Sequence, residues 1–72
     1  MTEKVRDNIK KILLGQLEYR SSNLALNMLI TKLKRKIQSD PGSMDQCMKE
    51  IAEFSEKSPI IAKVDFANIA AL

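Results

Sequence analysis

Few residues in this chain could carry chemistry. Its 72 residues include one cysteine, Cys47, and no histidine. Nucleophilic and general acid–base mechanisms usually need a histidine, or a thiol or hydroxyl beside a base, and zinc sites need several cysteine and histidine ligands. A lone thiol also cannot close an internal disulfide. We therefore expect no enzymatic activity, no metal and no cofactor, and we interpret Cys47 as a packing residue.

The second chemical feature is the basic run Lys32-Leu33-Lys34-Arg35-Lys36, in a chain whose pI is near 9.2. Because basic patches bind phosphate groups, a small basic helical nucleic-acid-binding or regulatory protein is the alternative function. The net charge is only +3, however, and no aromatic residues alternate with the basic ones. We favour solvated side chains near a helix C-terminus, where the helix dipole stabilises positive charge, and expect no nucleic-acid partner.

Two helical arms must position these residues. The segment 39–43 combines Asp, Pro and Gly, which is typical of a turn. The sequence predicts a helix over 3–38, a turn over 39–43, a helix over 44–57 and a helix or continuation over 59–71. Ser43 and Gln46 have capping-box spacing, and Pro59 interrupts or kinks the second arm. The predicted fold is a single all-α domain, an antiparallel helical hairpin with a long first helix.

The first arm carries two apolar stripes on opposite faces. The longer stripe follows heptad spacing and matches the length of a returning arm, so it predicts the hairpin core. The predicted core residues are Ile9, Ile12, Leu26, Ile30, Leu33 and Ile37, with Met44, Met48 and Ile51 from the second arm. The shorter stripe stops at mid-helix and is the predicted partner-binding face. Its residues are Leu14, Leu17, Leu24 and Met28, flanked by Tyr19 and Arg20.

The shorter stripe has two interpretations. A chain of this size buries only about 60% of its unfolded surface, and small domains often gain stability from a bound subunit. In the first interpretation a partner helix docks on the stripe through anchors at i, i+3 and i+7, and the chain alone could form a homodimer. In the second, the tail after Pro59 lies over the stripe and completes a three-helix bundle.

The composition also bears on location. No segment approaches the roughly 18 uninterrupted apolar residues of a membrane-spanning helix, so we expect no membrane insertion. A single cysteine fits a reducing compartment better than an oxidised, secreted scaffold. The sequence therefore predicts a cytoplasmic protein.

Three features of the chain suggest a family: Gln16-Leu17-Glu18, the run Ile30-Thr31-Lys32-Leu33-Lys34-Arg35 before a glycine-containing turn, and a second apolar arm. In these it resembles the small EscE-like proteins of bacterial type III secretion systems, of the attaching-and-effacing type. The related Yersinia-type proteins share the Thr-Lys-Leu-Lys run but lack a break like Pro59. The resemblance implies a non-enzymatic co-chaperone. Such a hairpin docks on a second, tetratricopeptide-like chaperone, and the pair keeps the needle subunit soluble and unpolymerised in the cytoplasm.

Overall fold

The described part of the chain folds into four α-helices. The computed structural model describes residues 2–72, except for the side chains of residues 59–62. The helices are α1 (Glu3–Leu13), α2 (Leu24–Ser39), α3 (Met44–Lys57) and α4 (Pro59–Ala70), with a 3-10 turn at Pro41–Ser43. The described residues contain no strand, so the all-α class is confirmed, as is the interruption of the second arm at Pro59. One boundary needs correction, because the helix expected over 3–38 is two helices separated by residues 14–23.

The end of α1 explains this correction. Gly15 has φ +76°, in the left-handed region that side chains with a Cβ rarely adopt. Its N–H donates to the Ile12 carbonyl at 3.1 Å, and the Gln16 N–H donates to the Lys11 carbonyl at 2.8 Å. This pair of hydrogen bonds is a Schellman motif, which satisfies the last carbonyls of a helix and turns the chain off its axis. The helix therefore ends at Leu13, although apolar residues continue beyond it.

Residues 14–23, called the linker below, are fixed by side-chain hydrogen bonds centred on Ser21. The buried Ser21 hydroxyl donates to a carboxylate oxygen of Asp65 in α4 at 2.8 Å. The Ser21 N–H donates to Asn27 Oδ1 at 2.8 Å, and Asn27 Nδ2 donates back to the Ser21 carbonyl at 2.6 Å. Asn23 then begins α2, because its Oδ1 accepts the Leu26 N–H at 3.0 Å as an N-cap. The linker is thus tied to both α2 and α4.

The connection between α2 and α3 is a tight turn. Asp40 Oδ1 accepts the Gly42 N–H at 3.2 Å, and the Asp40 carbonyl accepts the Ser43 hydroxyl at 2.7 Å. The Ser43 side chain therefore makes no capping bond to α3, and the capping box expected from Ser43 and Gln46 is wrong. Since the hydroxyl is engaged by the turn before it, the helix begins without it.

One apolar core lies between the helices. Helices α2 and α4 each pack on both α1 and α3, and the Cα atoms span 31 × 23 × 22 Å. A straight helix over 3–38 would be about 50 Å long, so breaking the first arm makes this compact shape possible. The buried hydrophobic residues are Val5, Ile9, Ile12, Leu13, Leu26, Ile30, Leu33, Ile37, Cys47, Met48, Ile51, Phe66 and Ile69. Of the predicted hairpin core, Met44 alone is only partly buried, and it packs against this cluster.

We predict that Gly15→Ala lowers the free energy of unfolding by roughly 1 to 2 kcal/mol, because alanine is strained at positive φ. Gly42→Ala is the matched control. It should change stability by less than about 0.5 kcal/mol, since its Cβ would meet only Asp40 Oδ1, at an ordinary 3.4 Å. Urea unfolding followed by circular dichroism measures both values. Equal losses in the two variants would contradict the Schellman assignment.

We also predict that Ser21 and Asp65 are energetically coupled by about 1 to 3 kcal/mol in a double-mutant cycle of Ser21→Ala and Asp65→Ala. The physical reason is the buried hydrogen bond, which either single substitution breaks. Ser22→Ala replaces Ser21→Ala in the control cycle, because Ser22 is exposed, and its coupling to Asp65 should be near zero. Additive losses for Ser21 and Asp65 would show that the linker is held by other contacts.

Candidate functional site

Helix α2 has an apolar patch on its outer side, in addition to the face that it buries. Leu24 is 73% exposed and Met28 is 65% exposed. Being four residues apart in a helix, they are neighbours on one surface. Both line a shallow, open depression of about 530 Å³ on the surface of α2 alone, together with Asn27, Thr31, Lys32 and Arg35. These six residues are called the α2 groove below.

A second depression adjoins the α2 groove where the linker passes beside α2. Its lining residues are Ile12, Leu17, Tyr19, Arg20, Leu24, Asn27, Ile30, Thr31 and Lys34. We call it the linker recess. Leu24, Asn27 and Thr31 belong to both depressions. The α2 groove and the linker recess are therefore one continuous surface, formed by an exposed helix face and the chain that leads into it.

The structure brings most of the predicted partner-binding residues to this surface. Leu17, Tyr19, Arg20 and Leu24 meet at the linker recess, and Met28 lies in the α2 groove. Their secondary structure differs from the prediction, because Leu17, Tyr19 and Arg20 belong to the linker and not to a helix. Leu17 and Tyr19 are partly buried against the core. The sixth residue, Leu14, is 52% exposed at the end of α1 and lines neither depression.

Tyr19 forms a fixed part of the recess wall. Its hydroxyl donates to the backbone carbonyl of Asp65 at 3.3 Å. Burial raises the pKa of Tyr19 above its ordinary value of 10.0. The Ser21 hydrogen bond opposes that shift, and the nearby Asp65 charge adds to it. The phenol is therefore protonated at neutral pH and serves as a donor. Ser21 and Tyr19 both contact Asp65, so this wall is fastened to α4.

The rim of this surface is predominantly basic. Lys32 and Arg35 line the α2 groove, Arg20 and Lys34 line the linker recess, and Glu18 lies beside Arg20 and Lys34. Helix α2 itself contains no acidic residue. The sequence predicts solvated side chains only for the basic run 32–36, and it predicts Arg20 as a flank of the partner-binding face. The usable signal was the helical spacing from Leu24 and Met28, which reaches Thr31 and Arg35 when it is extended by two turns.

The described part of helix α4 does not cover the outer face of α2. It packs on α1 and α3, and its buried side chains Phe66 and Ile69 join the core. The second interpretation of the shorter stripe, a tail from Pro59 lying over it, is therefore wrong for Leu24 and Met28. Within the described residues the chain leaves this pair open while it covers its other apolar stripe.

The side chain that could carry chemistry, Cys47, lies outside the α2 groove and the linker recess. Cys47 is completely buried, with its sulfur 3.8 Å from the Ser43 hydroxyl. Across the described side chains, no group of three or more His, Cys, Asp or Glu residues comes together as a metal site would require. In the same part of the chain, no helix has the length and apolar character needed to cross a bilayer.

The surface on α2 and the linker thus has an exposed apolar pair, basic side chains beside it and one wall tied to α4 through Tyr19 and Ser21. Its side chains are suited to contact with another molecule through apolar burial and charge. The chain matches no protein-family model, and no curated protein or solved structure was found to match it.

Proposed function

We propose that this chain is a non-enzymatic protein-binding module that docks a helix of another protein on the α2 groove and linker recess. The observation that carries the proposal is the exposure of Leu24 and Met28, side by side, in the α2 groove. Single exposed hydrophobic residues are common on protein surfaces. A pair one helical turn apart on an exposed helix face, beside a recess with further apolar lining, has the anchor spacing by which helices dock on one another.

The expected contribution of this pair to binding is large. Burying a leucine or methionine side chain from full exposure is worth about 1.5 to 3 kcal/mol. Methionine is unbranched and polarizable, so it adapts its shape to a partner. The partly buried Leu17 and Tyr19 extend the apolar surface without needing to move. Together these residues offer an apolar contact flanked by charged side chains, a combination that many protein interfaces use.

Within this function, the resemblance to EscE-like proteins favours a specific role, that of a co-chaperone in the cytoplasm of a bacterium with a type III secretion system. The docked helix would then belong to a tetratricopeptide-like chaperone, and through it the chain would help to shelter the needle subunit. A needle subunit assembles through exposed apolar surface, which must be covered before export. The support for this role is the sequence resemblance alone. The fold adds nothing to it, because the four short helices of this chain differ from the long-helix hairpin that the resemblance implies.

Nucleic-acid binding is the second candidate. The observation in its favour is that Lys32 and Arg35 are exposed on a helix that contains no acidic residue. Two exposed aliphatic side chains in the same groove favour a protein partner instead, because phosphate contacts gain nothing from Leu24 or Met28. Tyr19 is partly buried with its hydroxyl engaged, so it offers no free ring for base stacking.

The decisive test of docking is the double substitution Leu24→Glu and Met28→Glu. It should reduce binding to the second chaperone at least tenfold, because about 2 kcal/mol or more of apolar contact is replaced by buried charge. The fold should persist, since both side chains are exposed. Co-purification with the tagged chaperone and needle subunit, followed by calorimetric titration, measures the loss, and circular dichroism checks the helices.

Val64→Glu is the matched control, because Val64 is also an exposed aliphatic residue, at 61%, but lies on α4. It should leave binding unchanged. If the unaltered chain fails to co-purify with either secretion protein, the co-chaperone assignment is wrong. If binding occurs but the α2 double variant retains it, the docking surface has been assigned to the wrong face. A gel shift of labelled DNA or RNA by the unaltered chain would favour the nucleic-acid candidate.

A further inference from the structure

The charge of the α2 groove changes along its length. From Leu24 to Thr31 helix α2 carries no charged residue, whereas Lys32, Lys34, Arg35 and Lys36 follow within the next turn and a half. Leu24 and Met28 therefore lie at one end of the groove, and Lys32 and Arg35 lie at the other. Because α2 has no carboxylate of its own, these two cations have no partner on their own helix. The groove is directional, apolar at its N-terminal end and cationic at its C-terminal end.

The helix dipole does not account for both of these cations. Its stabilisation of positive charge is confined to the last turn of a helix. Helix α2 ends at Ser39, and the basic residue in its last turn is Lys36. Lys32 lies nearly two turns before that end. Its place on the rim is therefore not explained by capping, and its charge is available to an anionic partner.

The linker recess is also lined by positively charged side chains. Arg20 and Lys34 line it, with Glu18 as the acidic neighbour of both. A second copy of this chain packed in parallel would bring Lys32 and Arg35 against the same cations, and like charges facing one another across an interface are unfavourable. A second copy packed antiparallel would set these cations against Leu24 and Met28, which buries charge without a partner. A polyanion such as DNA would match the rim but would leave Leu24 and Met28 without apolar contacts. The occupant that satisfies both ends of the groove is a helix with apolar and acidic residues.

We infer that the α2 groove binds an acidic amphipathic helix of another protein, running antiparallel to α2. This rests on the docking function proposed above. In that orientation the first turns of the partner helix lie beside Lys32 and Arg35, and its following turns place apolar residues on Leu24 and Met28. Acidic residues in the first turn stabilise any helix through its dipole. The same acidic residues would therefore stabilise the partner helix and contact the cations of the groove. From Leu24 to Arg35 the groove is roughly 17 Å long, which corresponds to about three turns.

Selection from a phage-displayed library of helical peptides tests this without knowledge of the natural partner. The bait is the full chain, and a parallel selection uses the variant with Leu24→Glu and Met28→Glu. Peptides that depend on the apolar pair should carry net negative charge, with Asp or Glu preceding the apolar residues. A synthetic peptide of the enriched sequence should bind at least tenfold more tightly than the same residues in reverse order. Raising the salt from about 0.05 M to about 0.5 M should weaken its binding, because the rim charges are screened.

Charge reversal on the chain provides the matched comparison. Lys32→Glu with Arg35→Glu should weaken the selected peptide roughly tenfold or more. Lys49→Glu with Lys63→Glu makes the same change in net charge on exposed positions of α3 and α4, and should have at most a twofold effect. An equal loss in the two variants would show that overall charge, and not the groove, attracts the peptide, and would overturn the inference.

The remaining outcomes separate the two proposals. Peptides that need Leu24 and Met28 but are neutral or basic would overturn the acidic-helix inference and leave the docking function standing. Peptides enriched equally on both baits, or no enriched peptides, would overturn the docking function itself. If light scattering finds that the chain is a dimer, and that Leu24→Glu abolishes the dimer, the occupant of the groove is a second copy of the chain and not an acidic helix. Binding of a labelled DNA duplex would be a further outcome. If Lys32→Glu with Arg35→Glu abolishes that binding and Leu24→Glu with Met28→Glu leaves it unchanged, the occupant is a phosphate backbone and not an acidic helix.

Discussion

The left-handed conformation of Gly15 is the constraint on which this fold depends, because it sends the chain away from the axis of α1. Once α1 has ended, α2 can return beside it, and both helices contribute to one core with α3 and α4. A single straight helix over the same residues would present its apolar stripe along a length that the remaining chain could cover only in part. The Schellman hydrogen bonds donated by Gly15 and Gln16 satisfy the carbonyls of Ile12 and Lys11 at the break.

Much of the architecture follows from local signals in the sequence. The Asp40-Pro41-Gly42 turn and the break before Pro59 are encoded by residues that restrict φ or lack a backbone donor. The first arm was misread because heptad spacing continues across the linker, and periodicity alone does not register a change of direction. Gly15 as a helix stop and Asn23 as a helix start were both present, and each is a strictly local signal. In this chain the residues that cap the helices determine where α1 ends and α2 begins, and the spacing of the apolar residues does not.

The exposed apolar pair on α2 is predictable for a different reason. Leu24 and Met28 lie off the buried stripe of α2 whether that helix begins at residue 3 or at residue 24, so their exposure does not depend on the misread boundary. Leu17 and Tyr19 do depend on it, because their positions follow from the path of the linker and its hydrogen bonds to α4. No periodic pattern encodes that path. The position of Lys32 and Arg35 beside the exposed pair on α2 is also within reach of the sequence, because the helical spacing that joins Leu24 and Met28 leads to Arg35 on the same face of α2.

The attachment of Ser21 and Tyr19 to Asp65 has a consequence for the whole chain. These hydrogen bonds join the recess wall to the last helix, so any opening that detaches α4 also loosens that wall. A ligand that requires the wall in place binds only the closed molecule, and its binding free energy is then added to the cost of opening. Occupancy should accordingly slow amide hydrogen exchange in α4, which lies behind the recess wall. The C-terminal helix would report on ligand binding without touching the ligand.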